Sequence, residues 1–71
     1  MKKYMIDTGI DSETGYVVYD PTCKDPNAPY QAYAVKGGDS TPIAKPHWYA
    51  SLDAALVGYF GNDAKVLHEI K

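Results

Sequence analysis

The chain has 71 residues, a formal charge of −2 and a single cysteine, and these features exclude several classes of protein. Its length suits one domain, 1–71, with a modest core, and Cys23 has no partner for an internal disulfide. The seven Lys and Arg residues form no basic stripe, which disfavours direct nucleic-acid binding, and no apolar run is long enough to span a membrane. We therefore expect a soluble, cytoplasmic protein.

The first half of the chain predicts three strands, at residues 4–8, 16–20 and 30–36, where β-branched and aromatic residues concentrate. Turn-forming residues at 9–15 join the first two strands as a hairpin, and three prolines make 21–29 a surface loop. In the third strand the small Ala32 and Ala34 share a face, which suits close approach by a helix. Tyr33 is therefore expected to point away from that helix.

One helix is predicted at residues 52–60. Ser51 is a favourable N-cap and Gly61 a favourable stop. Gly58, inside the helix, would let it lie close to a sheet. Apolar side chains recur with the helical period and form one face directed at the core: Leu52, Ala55, Leu56, Tyr59 and Phe60.

Two remaining segments complete the expected fold. Pro46 makes residues 43–50 at best an edge strand. The tail, 64–71, fits a strand or a helix, and the alternation of Val66, His68 and Ile70 favours a strand. Together the elements predict an α+β domain: a small antiparallel sheet of three to four strands with one helix packed on one face.

Aromatic residues indicate where such a domain would bind. Seven tyrosines in 71 residues are unusual, and a single helix leaves one face of the sheet uncovered. Large exposed aromatic groups on such a face are typical of interaction or homodimer surfaces. For Trp48 the general burial of large aromatic residues favours a plug at the end of the core, where the loop meets the helix, over an anchor in an interface. The predicted binding residues are Tyr16, Tyr19, Tyr33, His47 and Trp48, with Asp20 and Asp39 as charges at the rim.

No group of residues indicates catalysis or metal binding. Zinc ligands usually occur as closely spaced pairs, whereas Cys23, His47 and His68 are more than 20 residues apart. The carboxylates are scattered over turns and caps. We therefore expect no metal, no cofactor and no enzymatic activity.

Two resemblances suggest a role. Residues 15–21 (GYVVYDP), followed by 51–56 (SLDAAL), resemble the HicB-type antitoxin domain, which implies a toxin partner. The whole chain is similar in style to small phage and prophage proteins, including anti-CRISPR and other anti-defence inhibitors, which are short, mildly acidic and poor in cysteine. This likeness implies a non-enzymatic inhibitor that occludes a surface of a host protein or protein–nucleic acid complex. The alternatives are a HicB-like antitoxin or regulator, and an accessory domain that binds a small molecule between sheet and helix.

Overall fold

A five-stranded antiparallel sheet dominates the computed structural model, which describes residues 1–37 and 41–70. The strands are β1 (Lys2–Asp7), β2 (Glu13–Tyr19), β3 (Tyr30–Lys36), β4 (His47–Tyr49) and β5 (Lys65–Ile70). Their order across the sheet is β4-β3-β2-β1-β5. Because β4 and β5 form opposite edges, the chain between them, which includes the helical segment, passes from one edge of the sheet to the other.

The predicted α+β class with three to four strands is wrong. Residues after Pro46 pair with β3 and the tail pairs with β1, so five strands form. Within 1–37 and 41–70 the helical residues are limited to 52–60, and the described domain is therefore predominantly β. The preference for a strand in the tail is confirmed, as is the third strand, at Tyr30–Lys36.

The helical segment begins as predicted but changes its winding. Ser51 is extended, and its hydroxyl accepts a hydrogen bond from the Ala54 N–H at 3.1 Å. The α-helix α1 (Leu52–Ala55) continues as a π-helical turn (Leu56–Phe60), in which the Gly61 N–H donates to the Leu56 carbonyl at 2.9 Å. Gly61 has a φ of 99°, which favours glycine. No described helix has the length and apolar character needed to cross a bilayer.

The core lies between the sheet and the helical segment. Ile6, Val17, Ala32 and Ala55 are buried at its centre. The predicted apolar face of the helix is confirmed, since Leu52, Leu56, Tyr59 and Phe60 all pack against this cluster. Alanines on β3 thus face the helix, as their size predicts.

Two glycines permit the close packing of this layer. A methyl group on Gly15 would lie 2.6 Å from Cε1 of Phe60, and one on Gly58 would lie 2.6 Å from Cε1 of Tyr49. Both distances are well inside van der Waals contact. Gly58 therefore lets the helix approach β4, as predicted, and Gly15 gives the Phe60 ring its place on the sheet.

Both edges of the sheet are poorly suited to pairing with another strand. β4 has only three residues. In β5, Met5 pairs with His68 and Ile6 with Val66, so Leu67 has no partner and forms a β-bulge. Short edge strands and bulges are the devices by which natural sheets prevent edge-to-edge association.

Candidate recognition surface

The face of the sheet opposite the helix carries a continuous set of large side chains. Strand pairing places them in two rows across the sheet. The first row is His68, Met5, Tyr16 and Tyr33, and the second is Ile70, Lys3, Val18, Gln31 and Trp48. Among the residues that the structure describes, no helix or strand packs over these rows. We call this surface the open face; its members are Lys3, Met5, Tyr16, Val18, Gln31, Tyr33, Trp48, His68 and Ile70.

The centre of the open face is an aromatic pair with a cation beside it. Tyr16 and Tyr33 are opposite each other on β2 and β3, with ring centroids 5.5 Å apart and planes 31° apart. The Lys3 ammonium nitrogen lies 4.5 Å from the Tyr16 ring centroid, within cation–π range. Both rings are half-buried, and their mutual contact favours the arrangement that a partner would meet.

Trp48 lies at one end of the second row. It pairs with Gln31 across β3 and β4, and 42% of its surface is exposed. Exposure on an edge strand argues against the alternative in which Trp48 plugs the core. A large, partly exposed indole is the side-chain type most enriched among residues that dominate binding energy.

The structure separates the other predicted binding residues from this surface. Tyr19 lies on the helix-bearing face, where its ring centroid is 5.0 Å from that of Tyr30. His47 lies on the same face, with its ring centroid 5.9 Å from that of Tyr59. Asp20 follows β2 at the end of the sheet, and Asp39 lies outside the described residues.

The three potential metal ligands discussed above do not meet. His47 lies on the helix-bearing face, His68 on the open face and Cys23 in the loop after β2. Within 1–37 and 41–70, no three His, Cys, Asp or Glu residues are grouped in a way that could hold a metal ion.

A groove of about 680 Å³ borders the open face at Trp48. It lies between the indole and the loop that joins β2 to β3, which we call the β2–β3 loop (20–29). A groove of this volume lies in the range of small-molecule and side-chain sites. It does not lie between sheet and helix, where a ligand pocket was predicted. Its lining residues are Asp20, Thr22, Cys23, Lys24, Asp25, Ala28 and Trp48.

Hydrogen bonds within the β2–β3 loop hold its carboxylates in place. Oδ1 of Asp20 accepts from the Thr22 N–H at 3.0 Å and from the Thr22 hydroxyl at 2.7 Å. Oδ1 of Asp25 accepts from the Asn27 N–H at 3.0 Å, and the Cys23 thiol donates to the Asp25 carbonyl at 3.0 Å. The Thr22 hydroxyl, and then the Thr22 N–H, lower the pKa of Asp20 below its ordinary value, because both hydrogen bonds favour the charged carboxylate.

The sequence-based prediction of binding residues missed several members of the open face and of the groove. The alternation of Lys3 and Met5 in the first strand was a usable signal, because residues two apart share a face. Nothing local in the sequence indicated that Gln31 would lie beside Trp48, or that the β2–β3 loop would approach the indole. Those neighbours depend on strand order.

The chain matches no protein-family model, no curated protein and no solved structure. The resemblances to HicB-type antitoxins and to phage anti-defence proteins therefore stay predictions.

Proposed function

We propose that this protein is a non-enzymatic binding protein that uses its open face to dock on a larger protein and occlude part of its surface. The observation that supports this most directly is the set of aromatic side chains on the open face, where Tyr16 and Tyr33 are in contact and Trp48, in the neighbouring row, is 42% exposed. In this proposal the protein acts as a small inhibitor of the phage type, and its target is a host protein, either alone or within a protein–nucleic acid complex. A reducing compartment such as the cytoplasm suits its free thiol, Cys23.

Charge favours a protein over a nucleic acid as the partner. The net charge is −2, and Lys3 is the only Lys or Arg among the nine residues of the open face. Nucleic-acid affinity comes largely from several phosphate contacts by Lys and Arg. One lysine whose ammonium already lies over a tyrosine ring supplies little of that affinity.

The shape of the sheet favours docking on the face rather than strand addition. An added strand needs an edge with a regular row of free backbone groups. β4 offers three residues, and the Leu67 bulge interrupts β5. The open face, by contrast, offers rigid aromatic groups whose binding loses little conformational entropy.

The test is affinity capture from a lysate of a candidate host, with two variants compared with the wild type. Tyr33→Thr and Trp48→Thr each remove an aromatic group from the open face while keeping a residue that favours strands. Val57→Thr is the matched control, because Val57 is 60% exposed on the helical segment, away from the open face.

We expect one protein to be recovered in stoichiometric amounts by the wild type and by Val57→Thr. Its recovery should fall at least about tenfold with either open-face variant, as at residues that dominate an interface. Equal recovery by all four proteins, or no stoichiometric partner in any host, contradicts the proposal. Tight binding of single-stranded oligonucleotides that depends on Tyr33 would favour a nucleic-acid ligand instead.

A further inference from the structure

The groove beside Trp48 has a lining that suits a cationic side chain with an apolar stem. Its lining combines the partly exposed Trp48 with the β2–β3 loop, which contributes two carboxylates, Asp20 and Asp25. Cations are attracted to the face of an indole, and guanidinium groups both stack on it and bind carboxylates through paired hydrogen bonds. The combination therefore discriminates in favour of arginine.

The free acceptor atoms of the two carboxylates support this reading. The hydrogen bonds within the loop engage Oδ1 of Asp20 and Oδ1 of Asp25. Each Oδ2 makes no hydrogen bond within the described residues and is open to an incoming donor. Lys24 also lines the groove, so its three charged side chains sum to a net negative charge.

The area of the open face is smaller than the area that a stable interface buries on one partner. Five strands about 4.8 Å apart, with an average length of about six residues, cover roughly 450 Å². A stable interface buries about 800 Å² on each partner. A partner that docks on the open face must therefore extend past its border, and the groove adjoins that border at Trp48.

We infer that the groove binds an arginine side chain that the partner presents beside its contact with the open face. This inference rests on the proposed function, because it names the group on the partner that the groove receives. The arginine stem packs on the Trp48 indole, and its guanidinium group donates to Asp20 and Asp25. Trp48 then belongs to both surfaces and links them.

A small probe tests the groove without the partner. N-acetyl-L-arginine N-methylamide is titrated into the isotope-labelled protein, and the citrulline analogue, which is neutral and nearly the same shape, is the control. Trp48 is the only tryptophan, so its indole N–H gives a unique resonance, and the amides of Thr22 and Lys24 report on the β2–β3 loop. As a second measurement, the arginine probe should slow alkylation of Cys23, the only cysteine.

We expect the arginine probe to shift the Trp48 and loop resonances, and the citrulline probe to bind about tenfold more weakly, since hydrogen bonds to charged groups are the stronger ones. Asp20→Asn and Asp25→Asn each keep Oδ1 as an acceptor for the loop and should weaken binding severalfold. Lys24→Gln removes a competing positive charge and should strengthen it. Weaker binding by the aspartate variants together with stronger binding by Lys24→Gln would indicate an electrostatic site, whereas general damage to the loop would weaken binding in all three variants.

Equal binding of the two probes, no shift of the Trp48 resonance at millimolar probe, or affinities unaffected by both aspartate variants would overturn the inference. Val57→Thr should leave probe binding unchanged, because Val57 does not line the groove. If the probe fails while partner capture still depends on Tyr33, only the arginine site is refuted. If capture fails while the probe binds as expected, only the proposed function is refuted.

Discussion

One of the two close approaches between sheet and helix, Gly15 beneath Phe60, yields a quantitative prediction. In Gly15→Ala, the added methyl carbon would lie 2.6 Å from Phe60 Cε1 and 2.9 Å from Thr8 Cγ2. Carbon atoms prefer separations of about 3.5–4.0 Å, so the Phe60 ring must retreat by roughly 1 Å. The ring has little room, because it packs on the core and its centroid lies 4.9 Å from that of Tyr59.

The net effect is the difference between two terms. Overpacking a core usually lowers the free energy of unfolding by about 1–3 kcal/mol. Alanine in a strand recovers about 0.5–1 kcal/mol of the conformational entropy that glycine loses. Since a contact of 2.6 Å with a packed ring places the overpacking cost in the upper part of its range, about 2–3 kcal/mol, we expect Gly15→Ala to reduce the unfolding free energy by about 1–2 kcal/mol. This corresponds to a fall in Tm of roughly 10 °C for a domain of this size.

Urea and thermal denaturation, followed by circular dichroism, measure this change. Gly37→Ala is the control, since its methyl group would lie 3.4 Å from the nearest atom, the Ser12 carbonyl oxygen, and should change stability by less than about 0.5 kcal/mol. In a Phe60→Leu background, which removes the outer ring atoms, the effect of Gly15→Ala should shrink. The reasoning is refuted if Gly15→Ala is as stable as the wild type, or if its effect is undiminished in that background.

Two further predictions concern the helix cap and the groove. Ser51→Ala removes the acceptor for the Ala54 N–H and should lower the unfolding free energy, measured by urea denaturation, by about 1 kcal/mol. Ser51→Gly should lose less stability. Equal stability of Ser51→Ala and the wild type would show that the cap is dispensable. Thr22→Val removes the hydroxyl donor to Asp20 and should raise the pKa of Asp20 toward its ordinary value of 3.8, as measured by carboxyl NMR titration. The lowered pKa of Asp20 stabilises the folded protein at pH values above 3.8, and this stabilisation is lost as pH falls through the folded-state pKa. Thr22→Val should therefore be less stable than the wild type near neutral pH and equally stable in strong acid. An unchanged Asp20 pKa would show that the hydroxyl is not the cause.

Local sequence patterns were sufficient for the elements whose signals are short-range. Strand β3 alternates small and large residues, and its faces lie as that alternation predicts, with Ala32 in the core and Tyr33 outside. The helix begins at the Ser51 cap and ends at Gly61 because capping and positive φ depend on neighbouring residues alone.

The alternation of side chains between the two faces of a strand already restricted which of the predicted binding residues could lie on the same face. Tyr16 and Tyr19 are three apart, so they cannot share a face of β2, and the adjacent His47 and Trp48 cannot share a face of β4. The structure places Tyr16 and Trp48 on the open face and the other two on the helix side. Periodicity thus divided the candidates into two sets, but it did not say which set the helix would cover.

Local patterns predicted the first three strands, the preference for a strand in the tail, the helix cap and the division of side chains between faces, since each depends on residues only a few positions apart. Tertiary pairing between distant segments set the order β4-β3-β2-β1-β5, which raised the strand count to five and changed the fold class. It also brought Trp48 beside Gln31 and the β2–β3 loop, and so formed both the open face and the groove. Such contacts join segments far apart in the chain, and their energies depend on packing that no local pattern encodes.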